Sequence, residues 1–337
     1  MAYDYDPELA SWADRLAPVD YTDPLAARAA VRAIAGRRPA YQPLGSVEEF
    51  DATAPGPDGA PPVRLRVHRP ARRGTEPGPG LLYLHWGGFV CGDVDAIRPT
   101  VQRLADRTGA VVVAVAYRLA PEHPYPAGLD DAYAALCWTA EHAADLGVDP
   151  ARLGVGGESA GGGLAAALAL LARDRGGPAL RFQCLMWPEL DDRLETVSAR
   201  SFTDTPKWNR ACAQASWGFY LGPRHRPGAN EVPPYAAPAR APDLSGLPPA
   251  YVCVCEYDPG RDEAITYAHR LIQAGVRTEI GYYPGTFHAS VSVAEAAVSQ
   301  KMLADQTDAL VRGLRGAPPG EPASRTPHTG PDGRTSA

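Results

Sequence analysis

Apolar residues follow two spacings along this chain, and the two spacings take turns. The first 45 residues hold no period-two run. Pro7 to Leu16 reads as a helix followed by Pro18. A second helix is capped by Asp23, has Pro24 at its first position, runs through Leu25, Ala29 and Ile34, and stops near Gly36 and Pro39. Trp12, Leu16, Tyr21 and Leu25 need a surface to cover, so this segment is expected to pack as a flap on the rest of the chain. From Ser46 the period changes. Ser46 to Ala52 and Pro62 to Arg69 read as strands joined through a Pro/Gly-rich turn at Pro55 to Pro61, the second alternating apolar and charged. After a loop at Gly74 to Gly80, Leu81 to His85 is a short buried strand. It runs into Trp86-Gly87-Gly88-Phe89 and a helix at Arg98 to Thr108. Ala110 to Ala116, AVVVAVA, has no polar face, which is the pattern of a central parallel strand covered on both sides.

The alternation continues. Asp130 to Asp145 reads as a helix, Arg152 to Gly156 as a strand, Leu164 to Ala172 as a helix and Arg181 to Trp187 as a strand. Pro188 to Ser201 reads as a loop. Lys207 to Leu221 is helical and aromatic, with Trp208, Trp217, Phe219 and Tyr220, and Gly222 to Pro249 is a long proline-rich connection. Tyr251 to Cys255 is a strand, Arg261 to Ala274 a helix, Arg277 to Tyr283 a strand and Ala289 to Leu314 the last helix. Ala317 to Ala337 is Pro/Gly/Ser/Thr-rich and reads as a disordered tail. Alternating strands and helices predict an α/β protein with a mostly parallel sheet and helices on both faces. Reactive groups are then expected at the carboxyl ends of the strands.

Composition narrows the function classes. A chain of 337 residues with 45% hydrophobic content can bury one large α/β core. A net charge of −6 with no Lys/Arg stripe argues against a nucleic-acid partner. No window approaches 18 uninterrupted apolar residues, so no membrane span is expected. The acidic start, MAYDYDPELA, lacks the apolar run of a signal peptide. Six cysteines, at 91, 137, 184, 212, 253 and 255, show no C-x-x-C spacing and read as core residues, with Cys253 and Cys255 on one face of a strand. A reducing cytoplasm fits that usage.

The chemistry gathers around Gly157-Glu158-Ser159-Ala160-Gly161, a G-x-S-x-G sequence between a strand and a helix. That context marks a nucleophile elbow, in which a tight turn exposes the serine hydroxyl at a helix N-terminus. A dinucleotide loop competes, because Gly154-x-Gly156-x-x-Ser159 is one residue off the G-x-G-x-x-G fingerprint. It lacks the acid at the end of the next strand, the nearest candidate being Asp174 on the helix. Three further segments fall at strand ends. The Gly87-Gly88 pair could offer backbone N–H groups to an oxyanion together with Ala160, or could be an ordinary turn. Asp258, in Glu256-Tyr257-Asp258-Pro259, could orient a histidine, or cap the next helix. His288, in Thr286-Phe287-His288-Ala289, follows a late strand. The other histidines fit less well: His68 lies in an edge-like strand, His142 and His269 in helices, His225 and His328 in polar loops, and His85 and His123 in loops near the elbow. The order Ser159, Asp258, His288 is that of the triad on a doubly wound sheet. In that reading His288 takes the serine proton and Asp258 fixes the imidazole tautomer.

These motifs resemble the hormone-sensitive-lipase-like branch of the α/β-hydrolases, which includes the bacterial family IV carboxylesterases. The H-G-G-G of that branch corresponds to His85-Trp86-Gly87-Gly88, and its Y-R-L-A-P-E-H-P-[FY]-P-A to Tyr117 through Ala127. Its G-[DE]-S-A-G-G corresponds to Gly157 through Gly162, and its D-P-L-R-D-E to Asp258 through Glu263, with Gly260 in place of leucine. The likeness spans residues 40 to 315. It implies an α/β-hydrolase fold with an eight-stranded sheet and a helical cap. The cap would be residues 1–45 and the insertion 195–234, over a catalytic core of 46–194 and 235–316. It also implies oxyanion donors at Gly87, Gly88 and Ala160. Trp86 stands where the first glycine of the triplet is expected and would narrow the mouth. Glu158 reads as a structural partner, since Asp258 fills the acid role.

The reading is a serine carboxylesterase cleaving small to medium apolar esters through an acyl-enzyme, with no metal or organic cofactor. An apolar pocket is expected from Trp86, Phe89, Trp12, Trp208, Trp217 and Phe219, although these aromatics could equally bury the cap on the core. Two alternatives stay open: an acyltransferase using the same acyl-enzyme, and a binding protein on a retired hydrolase scaffold. A homodimer also stays open, the last helix being mixed in pattern.

Overall fold

The computed structural model of the chain describes residues 3–16, 18–36, 40–57, 59–71 and 76–315. The tail expected at 317–337 lies outside the described residues. Eight strands form one sheet: β1 (Val47–Ala54), β2 (Val63–Pro70), β3 (Gly78–Leu84), β4 (Val111–Ala116), β5 (Val148–Glu158), β6 (Phe182–Met186), β7 (Ala250–Tyr257) and β8 (Thr278–Phe287). Their order is β1-β2-β4-β3-β5-β6-β7-β8. β2 pairs antiparallel with β1 and with β4, and every pairing from β4 to β8 is parallel.

The charged alternation of 62–69 predicts an edge position for His68. Instead β2 lies between two strands, where His68 sits opposite Glu49 and Val112 and is buried. Charged neighbours came from the pairing with β1, whose Glu48, Glu49 and Asp51 meet Arg69, Arg66 and Arg64. The β-branched run of β4 behaves as expected, with Val111, Val113 and Val115 buried on one face of the sheet and Val112 and Ala114 on the other. Cys253 and Cys255 share the second face with Tyr251.

Helices α3 (Arg98–Thr108) and α10 (Ala297–Gly313) cover that second face, and α4 (Ala127–Glu141), the short α5 (Ala143–Leu146), α6 (Ala160–Arg175) and α9 (Arg261–Gln273) the first. Residues 160–172 of α6 are all buried, which is why this helix is nearly pure Ala, Gly and Leu with no polar stripe. Above the carboxyl ends of the strands lies a roof made from α1 (Pro7–Ala13), α2 (Pro24–Ala35), α7 (Val197–Ser201) and α8 (Arg210–Leu221). Its two parts hold each other: the Lys207 N–H donates to the Leu16 carbonyl (3.0 Å), and Tyr21 meets Trp208 edge-on at 5.0 Å.

Two stretches differ from the pattern reading. The loop expected at 188–201 contains α7, started by the Thr196 hydroxyl accepting from the Ala199 N–H. The last helix begins at Ala297 rather than Ala289, after a 3-10 turn at Ser290–Ser292. Glu8 of α1 accepts from the Ala297 N–H at 2.6 Å, a cap from the far end of the chain that local sequence cannot announce.

Candidate active site

Three side chains each follow a parallel strand by one residue. β5 ends at Glu158 and Ser159 comes next; β7 ends at Tyr257 before Asp258; β8 ends at Phe287 before His288. The parallel register therefore delivers them to one rim. At the first of these, Ser159 has φ 57° and ψ −122°, a conformation rare for a residue with a Cβ. The surroundings enforce it. A Cβ on Gly161 would run into the Leu84 carbonyl, so the turn is pressed directly onto β3. Asp174, the acid a dinucleotide loop would have needed, is instead paired with Arg173 and Tyr235.

His288 Nδ1 lies 2.6 Å from Asp258 Oδ2, and its Nε2 lies 2.9 Å from Ser159 Oγ. With Nδ1 donating to the carboxylate, Nε2 is left to accept the serine proton. Asp258 is not the cap of α9, which starts at Arg261 with Gly260 at its N-cap and no side-chain cap bond; its other oxygen accepts from the Gly260 N–H (2.9 Å). Trp208 stacks on the imidazole at 5.4 Å and 24°, and Trp187 meets it edge-on at 6.4 Å.

Gly87 and Gly88 have φ of 131° and 57°, and Ala160 is the first residue of α6, where the helix ladder leaves its N–H unpaired. His85 builds this loop: its ring stacks on Tyr117 at 4.0 Å, and the Tyr117 hydroxyl donates to the His85 carbonyl at 2.7 Å. Burial pushes the His85 imidazole down to about 4, so it stays neutral. The stretch after β4 is held in turn by Arg118 on Asp131, at 2.8 Å, and by Arg28 of α2 on Glu122, at 2.6 Å. Glu158 accepts from the Tyr83 hydroxyl (3.1 Å).

The cavity against His288 and Asp258 is small, about 10 Å³, which is room for about one water. Trp208 and Trp217 line it. The other aromatics expected there lie elsewhere. Trp12 of α1 packs with Leu9 and Phe287, Phe89 stacks on Tyr220 at 3.9 Å, and Phe219 and Trp86 pack against the main core. A larger cavity of about 410 Å³ opens between Arg28, Arg32 and His123, away from all three rim residues. Among the described residues no group of three or more His, Cys, Asp or Glu is placed to hold a metal ion. Nor is any helix among them long and apolar enough to cross a membrane.

Sequence reasoning missed Glu189. Its Oε1 lies 3.1 Å from Ser159 Oγ and its Oε2 3.3 Å from Ser216 Oγ, and it is buried. Burial pushes its carboxyl up to about 8. Glu189 lies three residues past the end of β6, in a loop over the same rim, rather than directly at a strand end. Glu263 was also passed over; it accepts from the Leu190 N–H at 2.7 Å and so fixes the loop that carries Glu189.

Residues 81–292 match the family described as alpha/beta hydrolase fold. Carboxylesterase NlhH of Mycobacterium tuberculosis is 42% identical over 241 residues, 71% of this chain and 74% of that protein. Esterase LipI of the same organism is 40% identical, covering 77% of this chain and 78% of its own. Among solved structures, Bacterial Heroin Esterase superposes with a TM-score of 0.89 at 46% identity, over 93% of this chain and 99% of that one. Esterase LipW from Mycobacterium marinum gives 0.79 at 36%, over 93% and 97%. The chain belongs to the α/β-hydrolase family, in its hormone-sensitive-lipase-like branch. Within that class it is a carboxylesterase of serine-hydrolase type.

Proposed function

We propose that Ser159 is the nucleophile of this esterase, His288 its general base and acid, and Asp258 the group that orients His288. The observation that carries the reading is the pair of contacts on one imidazole, 2.6 Å to Asp258 and 2.9 Å to Ser159. As Ser159 Oγ attacks the ester carbonyl, its proton passes to His288 Nε2. The N–H groups of Gly87, Gly88 and Ala160 take the negative charge on the carbonyl oxygen, each worth about 3 kcal/mol on the barrier. His288 then gives the proton to the leaving alcohol, and the acyl group stays on Ser159. A water deprotonated by His288 attacks the acyl-enzyme and releases the acid. Trp208 and Trp217 form the apolar wall met by the substrate, and they must shift to admit it, given a cavity of about 10 Å³.

In the same reading the roof of 1–45 and 195–234 is a cap on a core of 46–194 and 235–316. Six free thiols, five of them buried, favour a reducing cytoplasm. The net charge of −6 disfavours a nucleic-acid partner. A homodimer would use the outer edge of β8, where Ile280 and Tyr282 are exposed. Ser159→Ala should abolish p-nitrophenyl ester hydrolysis in a folded protein, and full retention would refute the assignment. With an alcohol added as competing acceptor, free acid should remain the main product. Transfer outrunning hydrolysis would overturn the hydrolase reading.

A further inference from the structure

Ser159, Glu189, Ser216 and the Gly88 carbonyl form a chain that links the nucleophile to the oxyanion loop. Four contacts run along it: His288 Nε2 to Ser159 Oγ (2.9 Å), Ser159 Oγ to Glu189 Oε1 (3.1 Å), Glu189 Oε2 to Ser216 Oγ (3.3 Å), and Ser216 Oγ to the Gly88 oxygen (2.8 Å). The protons can be counted. The Gly88 carbonyl only accepts, so Ser216 spends its single proton there. Asp258 takes the Nδ1 proton, so Nε2 accepts, and Ser159 spends its single proton on His288. Nothing is then left for Glu189; one proton of its own on Oε1 supplies the contact to Ser159 and leaves the 3.3 Å approach of Oε2 to Ser216 Oγ without one.

We propose that Glu189 is a protonated positioning residue, donating to the Ser159 oxygen so that the serine's own proton stays directed at His288. The proposal rests on Ser159 and His288 acting as nucleophile and base. An ionised Glu189 would be a stronger acceptor than neutral imidazole and would draw the Ser159 proton away from it. It would also oppose the acyl-enzyme, in which Oγ has become an ester oxygen without a proton and would face a carboxylate at van der Waals distance. Glu189 transfers nothing in the reaction. The Oγ–acyl bond forms, the serine proton goes to Nε2, and the Glu189 proton remains on its carboxyl. Ser216 holds the Gly88 carbonyl of the oxyanion loop with its own proton, beside Glu189 Oε2.

The surroundings favour the neutral acid. Asp258 beyond the end of β7 opposes a negative charge at Glu189, and the buried Glu263 on α9 is itself pushed well above the usual carboxylate range. Tyr21 before α2, Tyr117 after β4 and Cys212 on α8 face it as neutral groups, their ionisation pushed up by burial. Burial carries the Glu189 carboxyl up to about 8, so the proton is held at neutral pH and lost on the alkaline side.

The test is the pH profile of kcat for wild type, Glu189→Gln and Glu189→Ala, with circular dichroism and fluorophosphonate labelling of Ser159 on each. Wild-type kcat should fall above pH about 8 with loss of one proton, KM changing little. The amide of Glu189→Gln donates without titrating, so its alkaline fall should move up by at least about one pH unit while kcat at pH 7 stays within about tenfold of wild type. Glu189→Ala should lose about thirtyfold or more in kcat at pH 7. An alkaline fall at the same pH in Glu189→Gln would overturn the proposal. So would a folded, labelled Glu189→Gln that is inactive at every pH, because a carboxylate would then be required. If neither variant folds, the wild-type profile decides: kcat level from pH 7 to pH about 10 contradicts a protonated Glu189. A triad that fails shows separately, as an active Ser159→Ala.

Discussion

The rim of the sheet and the roof above it are built by different rules. At the rim, Ser159, Asp258 and His288 are set by the register of parallel strands, each one residue past its strand end. In the roof, α1, α2, α7 and α8 are joined by irregular loops, and their placement depends on contacts between distant segments, such as Lys207 with Leu16 and Glu8 with Ala297. A register tolerates little: moving one strand by one residue would turn its last side chain to the other face. Packing between helices tolerates more, so the roof can vary or shift while the rim keeps its geometry. That division suits an enzyme whose chemistry is fixed and whose substrate shape is adjustable.

Substitutions in the two regions should separate along that line. The largest of these effects is expected from Asp258→Asn, which keeps the shape but presents an amide to Nδ1. It should lower kcat by about 10³- to 10⁴-fold with little change in KM, read from initial rates on a p-nitrophenyl ester. A loss below about tenfold would mean the rim does not need that carboxylate. Gly88→Ala attacks the joint between the regions. Its Cβ would sit 3.0 Å from Trp208 and 3.1 Å from Ser216 Oγ, at a φ of 57°. Displacing one oxyanion donor should cost about 100-fold in kcat, and the strain about 1 kcal/mol in unfolding free energy by denaturant titration. Trp208→Ala acts from the roof on the wall that stacks on His288. It should raise kcat/KM for a six-carbon acyl ester relative to acetate by about tenfold, while lowering stability by about 3–5 kcal/mol. An unchanged acyl-length preference would remove Trp208 from the substrate wall.

The same division governed what could be read from the amino-acid order. Strand positions, the elbow and the rim residues were legible because each depends on a short run: AVVVAVA, GESAG, and a single chemical residue after an apolar strand. Helix α3, read near Arg98 to Thr108, spans those residues and stops at Gly109, which has φ 72°. The roof was legible only as helices in need of a surface. Which aromatics face the rim was not legible, because Trp208 and Trp217 line the small cavity while Trp12 and Phe219 do not, and all four look alike in composition. Glu189 escaped for a different reason. A carboxyl inside a proline-containing loop looks like solvated surface, and its value comes from burial that only the folded chain creates. His68 misled in the opposite direction, its charged neighbours being satisfied across β1 rather than by solvent.

Catalysis at this rim depends most on His288 and Ser159 acting as one unit. Mass spectrometry of the peptide carrying a fluorophosphonate adduct, on wild type and on folded His288→Ala, tests that unit without reference to any substrate. The adduct should sit on Ser159 in wild type and form at least about 10³-fold more slowly in the variant. Equal labelling rates in the two proteins, or an adduct on another residue, would contradict it.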